Sequence, residues 1–439
     1  MRTFNGIKKI LNILLICMMV YLGDKALGVL LEPISYATHF NHDVEQIEAE
    51  QASADLLFVG ASRVYRSFVP EVFKEKCGLD LVVNAGSSSQ RLSGSYYQLK
   101  DLMPRIHPRH VVLGVTGDNL YEPYYTQANL VVADRLHGIN KFQYIFDVFE
   151  PKDYGYAFSK AYRFRNNLDL SVIQKNRAEK QALQDSGYSV APAEPEYYAD
   201  HGFVYSYATY APGTIPLKES FVRKEALNQT ELIYLDKIVD LCKSEGVSLS
   251  LVVGPTTMMR IYNTDDYDYF HQWFVRYAEE NGLAYHNLNY LKGRETFLPD
   301  SLMHDYNHVN GEGAKLISEI YADILNKTAK GIPTDDYFYE SFSDLMADVN
   351  RIVAVNAEAE KDDANLSIAI SSLHNPDVDP YYQVVLSYGD SGQIISDWSH
   401  RSTLHTPVPG KEPFTVTVRA KIDPLNDEEP AASQVYTIN

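Results

Sequence analysis

The sequence predicts an α/β fold built on a parallel sheet, with a basic-then-apolar segment ahead of it and a small all-β module behind it. Three observations carry this prediction. Between residues 52 and 327, strand-like apolar runs ending in turn residues alternate with helical patterns. The first of these runs, Leu56, Leu57, Phe58 and Val59, is continuously apolar, as suits a central parallel strand covered on both faces. From residue 366 onward the pattern changes to short alternating strands separated by turn residues.

At 439 residues the chain has room for two or three domains and a substantial core. Its N-terminus carries Arg2, Lys8 and Lys9, then an apolar run over 10–22 broken only by Asn12. A basic flank followed by an apolar segment predicts export. The run is shorter than the roughly 20 residues that a full span prefers, but residues 27–31 extend it past Asp24 and Lys25. No small-x-small cleavage pattern follows, and Cys17 lacks the small residues expected before a lipidated cysteine. The reading is an uncleaved single-pass signal anchor over 1–31, at the cell membrane, with the body extracellular and a membrane-proximal linker over 32–51.

In the stretch 55–68 (DLLFVGASRVYRSF) the first strand stops at Gly60-Ala61, which places Ser62 just past a strand's carboxyl end. That edge is where open α/β sheets bind ligands, so Ser62 is a candidate nucleophile, followed by Arg63. The alternative for such a strand-Gly-x-Ser turn is plain turn chemistry. A second stretch at 300–314 (DSLMHDYNHVNGEGA) separates Asp305 and His308 by three residues. In one turn the carboxylate can hold one imidazole nitrogen and leave the other to take a serine proton. Asn310 then caps a helix over 311–326, whose apolar residues share one face. Asp300 and His304 form a competing pair, but the downstream Asn and Gly favour His308.

These blocks, Gly60-Ala61-Ser62, Asn84-Ala85-Gly86 and Asp305-x-x-His308-x-Asn310, resemble the motifs of the SGNH (GDSL-type) hydrolase superfamily. With GASR in place of GDS and an anchored N-terminus, the chain is more narrowly similar to the extracytoplasmic branch containing the teichoic-acid D-alanylation protein and polysaccharide O-acetyltransferases. The resemblance covers residues 52–327. It implies a three-layer SGNH-type fold and a triad of Ser62, Asp305 and His308, with no cofactor. It also implies an oxyanion hole from the N–H groups of Ser62 and Gly86 and from Asn119. At the third strand end the family usually carries Gly-x-Asn-Asp, whereas this chain reads Gly117-Asp118-Asn119. That order puts the Asn119 donor in doubt and leaves Asp118, with Arg63, as a substrate-binding candidate. The bland reading of Gly86-Ser87-Ser88-Ser89 is a simple loop.

The remaining strands of the sheet are expected at 79–83, 110–115, 247–253 and 284–288, with helices at 70–77, 93–103, 230–244 and 267–281. His271 and His286 fall inside these patterns and read as structural. Between the strand at 110–115 and the helix at 230–244, residues 121–223 form a tyrosine-rich insertion, which serves either as a polysaccharide-facing lid or as its own small core. Residues 328–365 read as a linker with a helix over 335–355 and a charged stretch over 358–365. Residues 366–439 resemble a small immunoglobulin-like sandwich with Trp398 as a core candidate.

A net charge of −19 without a long basic run excludes a phosphate-neutralising surface, and so nucleic acid as a partner. Three cysteines imply no disulfide framework. No metal is expected, since Asn310-Gly311 interrupts any helix that would carry His304 and His308 as ligands. The leading functional expectation is O-acyl transfer, chiefly acetyl, onto a cell-surface polysaccharide. The resemblance implies a membrane-bound O-acyltransferase as the partner that hands acyl groups across the membrane. An esterase with the same residues and a non-catalytic surface-binding protein are the alternatives.

Overall fold

The computed structural model describes residues 2–117, 124–210, 229–264, 267–362, 364–388, 391–408, 413–426 and 432–438. It divides the chain into two compact units, with Met1–Leu113, Glu122–Tyr205 and Gln229–Leu249 in the first and Gly114–Tyr121, Ser206–Asn228 and Ser250–Asn439 in the second.

The first unit opens with helix α1 (Arg2–Leu31). Its side chains from Ile13 to Leu30 include a run of exposed apolar residues, among them Leu15, Ile16, Met18, Met19 and Val20. Its end is fastened to the insertion: the Asn167 and Asn176 amides donate to the Leu31 carbonyl at 2.9 and 3.1 Å, and Lys160 pairs with Glu32 at 2.7 Å. Among the described residues no helix is long and apolar enough to cross a membrane. Helix α2 (Tyr36–Ala49) follows, burying Phe40, Val44 and Ile47 at i, i+4 and i+7.

Strand β1 (Leu56–Val59) is buried at every position, as its continuous apolar run predicts. Helices α3 (Ser62–Ser67) and α4 (Pro70–Cys77), strand β2 (Val82–Asn84), helix α5 (Leu92–Ile106) and strand β3 (His110–Gly114) come next. β1 pairs in parallel with β2, Leu56 opposite Val82, and with β3, Leu56 opposite His110. β2 starts three residues later than expected. The Asp55 carboxylate accepts from the Asp80 and Leu81 N–H groups, and the Leu81 carbonyl accepts from Asp55, so these residues turn the chain before the ladder begins.

The insertion supplies helices α6 (Thr126–Arg135), α7 (Gly138–Val148), α8 (Tyr154–Phe158), α9 (Lys160–Arg163) and α10 (Leu170–Asp185), and a hairpin of β4 (Glu196–Asp200) and β5 (Phe203–Ser206). The hairpin turn covers the edge strand: the Asn84 N–H donates to the His201 carbonyl at 2.7 Å. Gly202 there has φ +95°, and a Cβ would sit 1.6 Å from the Asn84 carbonyl oxygen, so only glycine fits. The tyrosines divide between both readings, with Tyr144 and Tyr198 buried and Tyr125 and Tyr162 exposed. Helix α11 (Gln229–Glu245) brings in Glu231, which is buried and accepts from the Ser93 N–H and hydroxyl while pairing with Arg91 at 3.1 Å.

Strand β6 (Ser248–Val253) continues the α/β pattern; in the second unit follow helices α12 (Met258–Tyr262) and α13 (Tyr267–Asn281), and β7 (Ala284–Asn287). β6 and β7 are parallel, Ser250 opposite Ala284. β1 thus stands between β2 and β3, and β7 is paired with β6, all of them in parallel as predicted for an α/β sheet. Helices α14 (Arg294–Phe297), α15 (Gly311–Ala329) and α16 (Phe342–Ala347) complete this part.

The expected helix over 335–355 is only the six-residue α16, and the expected charged linker is strand β8 (Ala354–Lys361). Val355 and Ala357 face the core there while Glu358 and Glu360 face outward, an alternation that the charges mask in the sequence. Strands β9 (Asn365–Leu373), β10 (Tyr381–Tyr388), β11 (Ser391–Ser399), β12 (Thr403–Pro407), β13 (Phe414–Lys421) and β14 (Ala432–Ile438) complete two antiparallel sheets, β12-β9-β8 and β11-β10-β13-β14. Their shared core is built around Ile368, Val384, Phe414, Val416 and Val418. Trp398 is only half-buried and lies outside that core.

Burial holds two histidines neutral to low pH. His110 in the first unit and His271 in the second are both lowered from 6.5 to about 4. The unfolded chain therefore binds protons in this window that the folded chain does not, and stability falls as pH drops from 6.5 towards 4. Urea midpoints at pH 7 and pH 4.5 should show the loss, and His271→Gln should narrow the difference between them.

Candidate active site

Ser62 stands where the sequence places it, at the carboxyl end of β1 as the first residue of α3, and it is half-buried. The chain turns through Gly60, at φ 150°, and through extended Ala61. Two backbone bonds lock the neighbouring loop to this turn: the Ala85 N–H donates to the Phe58 carbonyl at 2.7 Å and the Ser87 N–H to the Gly60 carbonyl at 3.0 Å. Arg63, also half-buried, follows Ser62 in the first turn of α3.

Gly86 lies in that loop for a steric reason: a Cβ would fall 2.8 Å from the Tyr65 backbone nitrogen. Its N–H donates to Asn84 Oδ1 at 3.1 Å, so serving an oxyanion as well requires a shared hydrogen. The Asn84 amide is itself held by the Val64 and Phe68 carbonyls, both at 2.9 Å. The Asn-Ala-Gly block thus has a structural job that its spacing alone does not disclose. Asp118 and Asn119 lie outside the described residues.

The second unit carries the candidate acid and base. Asp305 and His308 sit in a tight turn in which the His304 N–H donates to the His308 carbonyl at 2.8 Å, and Met303 bridges Val309. His308 Nδ1 lies 2.8 Å from Asp305 Oδ1 and 2.9 Å from Oδ2. The same Oδ1 accepts the backbone N–H groups of Asn307, at 2.7 Å, and His308, at 2.9 Å. Burial works against the charge of Asp305, but the His308 hydrogen bond and charge, with the Asn307 N–H, outweigh it and lower the carboxyl to about 2. It is therefore an anion throughout the physiological range. Its side chain remains 44% exposed against 16% for His308, which limits what the pair adds to the stability of the fold. With Nδ1 held by the carboxylate, Nε2 is the nitrogen for proton exchange.

Asn310 caps α15 as expected, its Oδ1 accepting from the Gly313 N–H at 3.0 Å. Its amide donates to the Ser301 and Ala208 carbonyls, which fixes the turn from both sides. Gly313 must be glycine, since a Cβ would meet the Leu302 carbonyl at 2.3 Å. The competing Asp300/His304 pair does not form as a unit. Asp300 is half-buried, with Arg351, Glu295 and Arg294 as its charged neighbours. His304 instead places Nδ1 2.6 Å from Ser206 Oγ and Nε2 3.5 Å from Asp305 Oδ2. Ser206 Oγ also accepts from the Ala208 N–H at 3.1 Å, and the His304 tautomer sets which partner donates in the Ser206–His304 bond.

Sequence reasoning missed Ser206, 98 residues from its partner, and also Arg66 and Arg135 in the first unit. Arg66 pairs with Glu196 at 2.6 Å. No local spacing marks such long-range contacts, although a lone arginine at the end of an apolar helix is a faint signal for Arg135. Cys77 and Cys242 are free thiols, and among the described residues no group of acidic, histidine and cysteine side chains is arranged to hold a metal.

No protein-family model and no curated protein matches the chain. Among solved structures it is similar to a GDSL-like lipase from Bacteroides thetaiotaomicron, at 12% identity and a TM-score of 0.31, over 67% of this chain and 100% of the other. It is also similar to the esterase EstA of Pseudoalteromonas, at 12% identity and a TM-score of 0.29, over 63% of this chain and 99% of the other. A two-domain esterase active on acetylated mannans covers 90% of this chain, at 8% identity and a TM-score of 0.27, with 93% of its own length matched. Scores this low carry no argument about activity, which has to stand on the side chains.

Proposed function

We propose that the chain is a serine acyl enzyme of the SGNH type that works on O-acyl esters of a cell-surface polysaccharide, with Ser62, His308 and Asp305 as its triad. The observation that supports this most strongly is the paired contact of Asp305 with His308 Nδ1, in a turn whose backbone N–H groups fix the same carboxylate. Ser62 at the end of β1 supplies the nucleophile.

In this reading His308 Nε2 takes the Ser62 hydroxyl proton as Oγ attacks the acyl carbonyl, and the resulting imidazolium is stabilised by ionised Asp305. The oxyanion is met by the Ser62 N–H, with Gly86 and Asn119 as further donors. Collapse expels the alcohol, which receives the proton from His308 and leaves an acyl-Ser62 ester. A second hydroxyl then attacks this ester by the same route in reverse: a sugar hydroxyl gives transfer, and water gives hydrolysis.

Transfer is the finer reading. The exposed apolar side chains of α1, together with the bonds that fasten its end to the insertion, favour a body held at a membrane surface. A membrane-bound O-acyltransferase would supply the acyl group there. Arg63 and Asp118 are the candidates for acceptor contacts. The test is to feed the full chain an acetyl ester with and without oligosaccharide acceptors. Acetylated oligosaccharide marks a transferase, acid release alone marks an esterase, and turnover of neither refutes the proposal.

A further inference from the structure

The first unit encloses a cavity of about 380 Å³, within the range of small-molecule sites. Its walls are largely aromatic and aliphatic: Tyr36, Tyr65, Tyr198, Phe164 and Leu130. One charge on the wall is unanswered. Arg163 is paired with Asp134 at 2.6 Å and Glu32 with Lys160 at 2.7 Å, so these lining groups balance. Arg135, only 6% exposed, has no carboxylate partner among the described residues. Its Nη1 is spent on the Ala85 and Gly86 carbonyls at 3.1 and 2.9 Å, its guanidinium lies 4.3 Å from the Phe40 ring centroid, and Nε has no hydrogen-bond partner.

A guanidinium placed in a pocket without an anion carries a desolvation cost that carbonyls and a ring face offset only in part. Burial accordingly lowers Arg135 to about 10. An incoming anion would complete the arrangement. The apolar walls disfavour a doubly charged phosphate, while a single carboxylate matches the one open charge and the planar guanidinium.

We propose that this cavity binds a small molecule bearing one carboxylate on a compact apolar or ring-shaped body, with Arg135 answering its charge. Two sources share that chemistry, a short aliphatic acid and a uronic-acid sugar. The site adjoins the proposed acyl chemistry at Gly86, which lines the cavity, but none of its charge balance involves Ser62, Asp305 or His308.

The experiment titrates the full chain carrying Ser62→Ala with hexanoate and with glucuronate by calorimetry, beside the neutral counterparts hexanol and glucose. At least one acid should bind one-to-one, about tenfold or more tighter than its neutral counterpart, and the acid that binds identifies the source. Arg135→Gln should weaken that binding by about tenfold or more, as expected for loss of a buried charge-assisted partner. Val131→Trp, which fills the cavity from its wall and leaves the guanidinium in place, should weaken it equally and decides the matter if Arg135→Gln does not fold. Absence of binding by both acids, equal binding of acids and neutral counterparts, or binding that survives the cavity-filling change would each overturn the proposal. Because Ser62 is already replaced, none of these outcomes bears on the triad.

Discussion

Ser62→Ala should lower kcat on an acetyl ester by about 10³–10⁶-fold while leaving the folded state intact. Alanine removes the only atom of the residue that forms the covalent bond, and it suits the first turn of α3 at least as well as serine does. KM should change little, since the hydroxyl is read as a reacting group and not as a binding contact. A stopped assay of acid release, run beside thermal unfolding, separates the two effects. Retention of a tenth of the activity with normal folding would remove Ser62 from the chemistry.

Asp305→Asn should have a comparably large effect for a different reason. Oδ1 of the carboxylate accepts from two backbone N–H groups and from His308 Nδ1. An asparagine carbonyl can keep the two backbone bonds, but its amide then presents N–H donors to Nδ1. The imidazole must take the opposite tautomer, with its proton on Nε2, where it cannot serve as a base. A fall of about 10³–10⁴-fold in kcat follows, with the fold preserved. His304→Gln is the contrasting variant. His304 lies 3.5 Å from the same carboxylate and is held by Ser206, so its loss should shift activity by about tenfold or less. The reverse ranking would make His304 the base. The acid side of the stability profile carries a further sign: the carboxyl of Asp305 is depressed from 3.8 to about 2, so its contribution is present above 3.8 and is lost as pH falls through about 2.

What could be read from the sequence was what is local in the chain. The run Leu56 to Val59 announces a strand buried on both faces, and the helix over 267–281 is found with those bounds, because periodicity and caps lie within a few residues of each other. Asp305, His308 and Asn310 fall within one turn and its cap, so their spacing encodes their geometry. Contacts that close over long separations leave no such trace. Glu231 beneath Ser93, Arg135 under the Gly86 carbonyl, and Ser206 on His304 are 138, 49 and 98 residues apart. Strand β8 was hidden by its own glutamates, which sit on the solvent face of an otherwise buried alternation. Gly86 was legible as a special position, but the reason the structure gives, close approach to Tyr65 and an N–H held by Asn84, is packing before it is catalysis.

The most direct test of the central claim is labelling of the full chain by a serine-directed fluorophosphonate, followed by peptide mapping. A single adduct on Ser62, slowed strongly by His308→Ala and by Asp305→Asn, is the expected result. No adduct, or one on Ser87, Ser88 or Ser206 in place of Ser62, would contradict it.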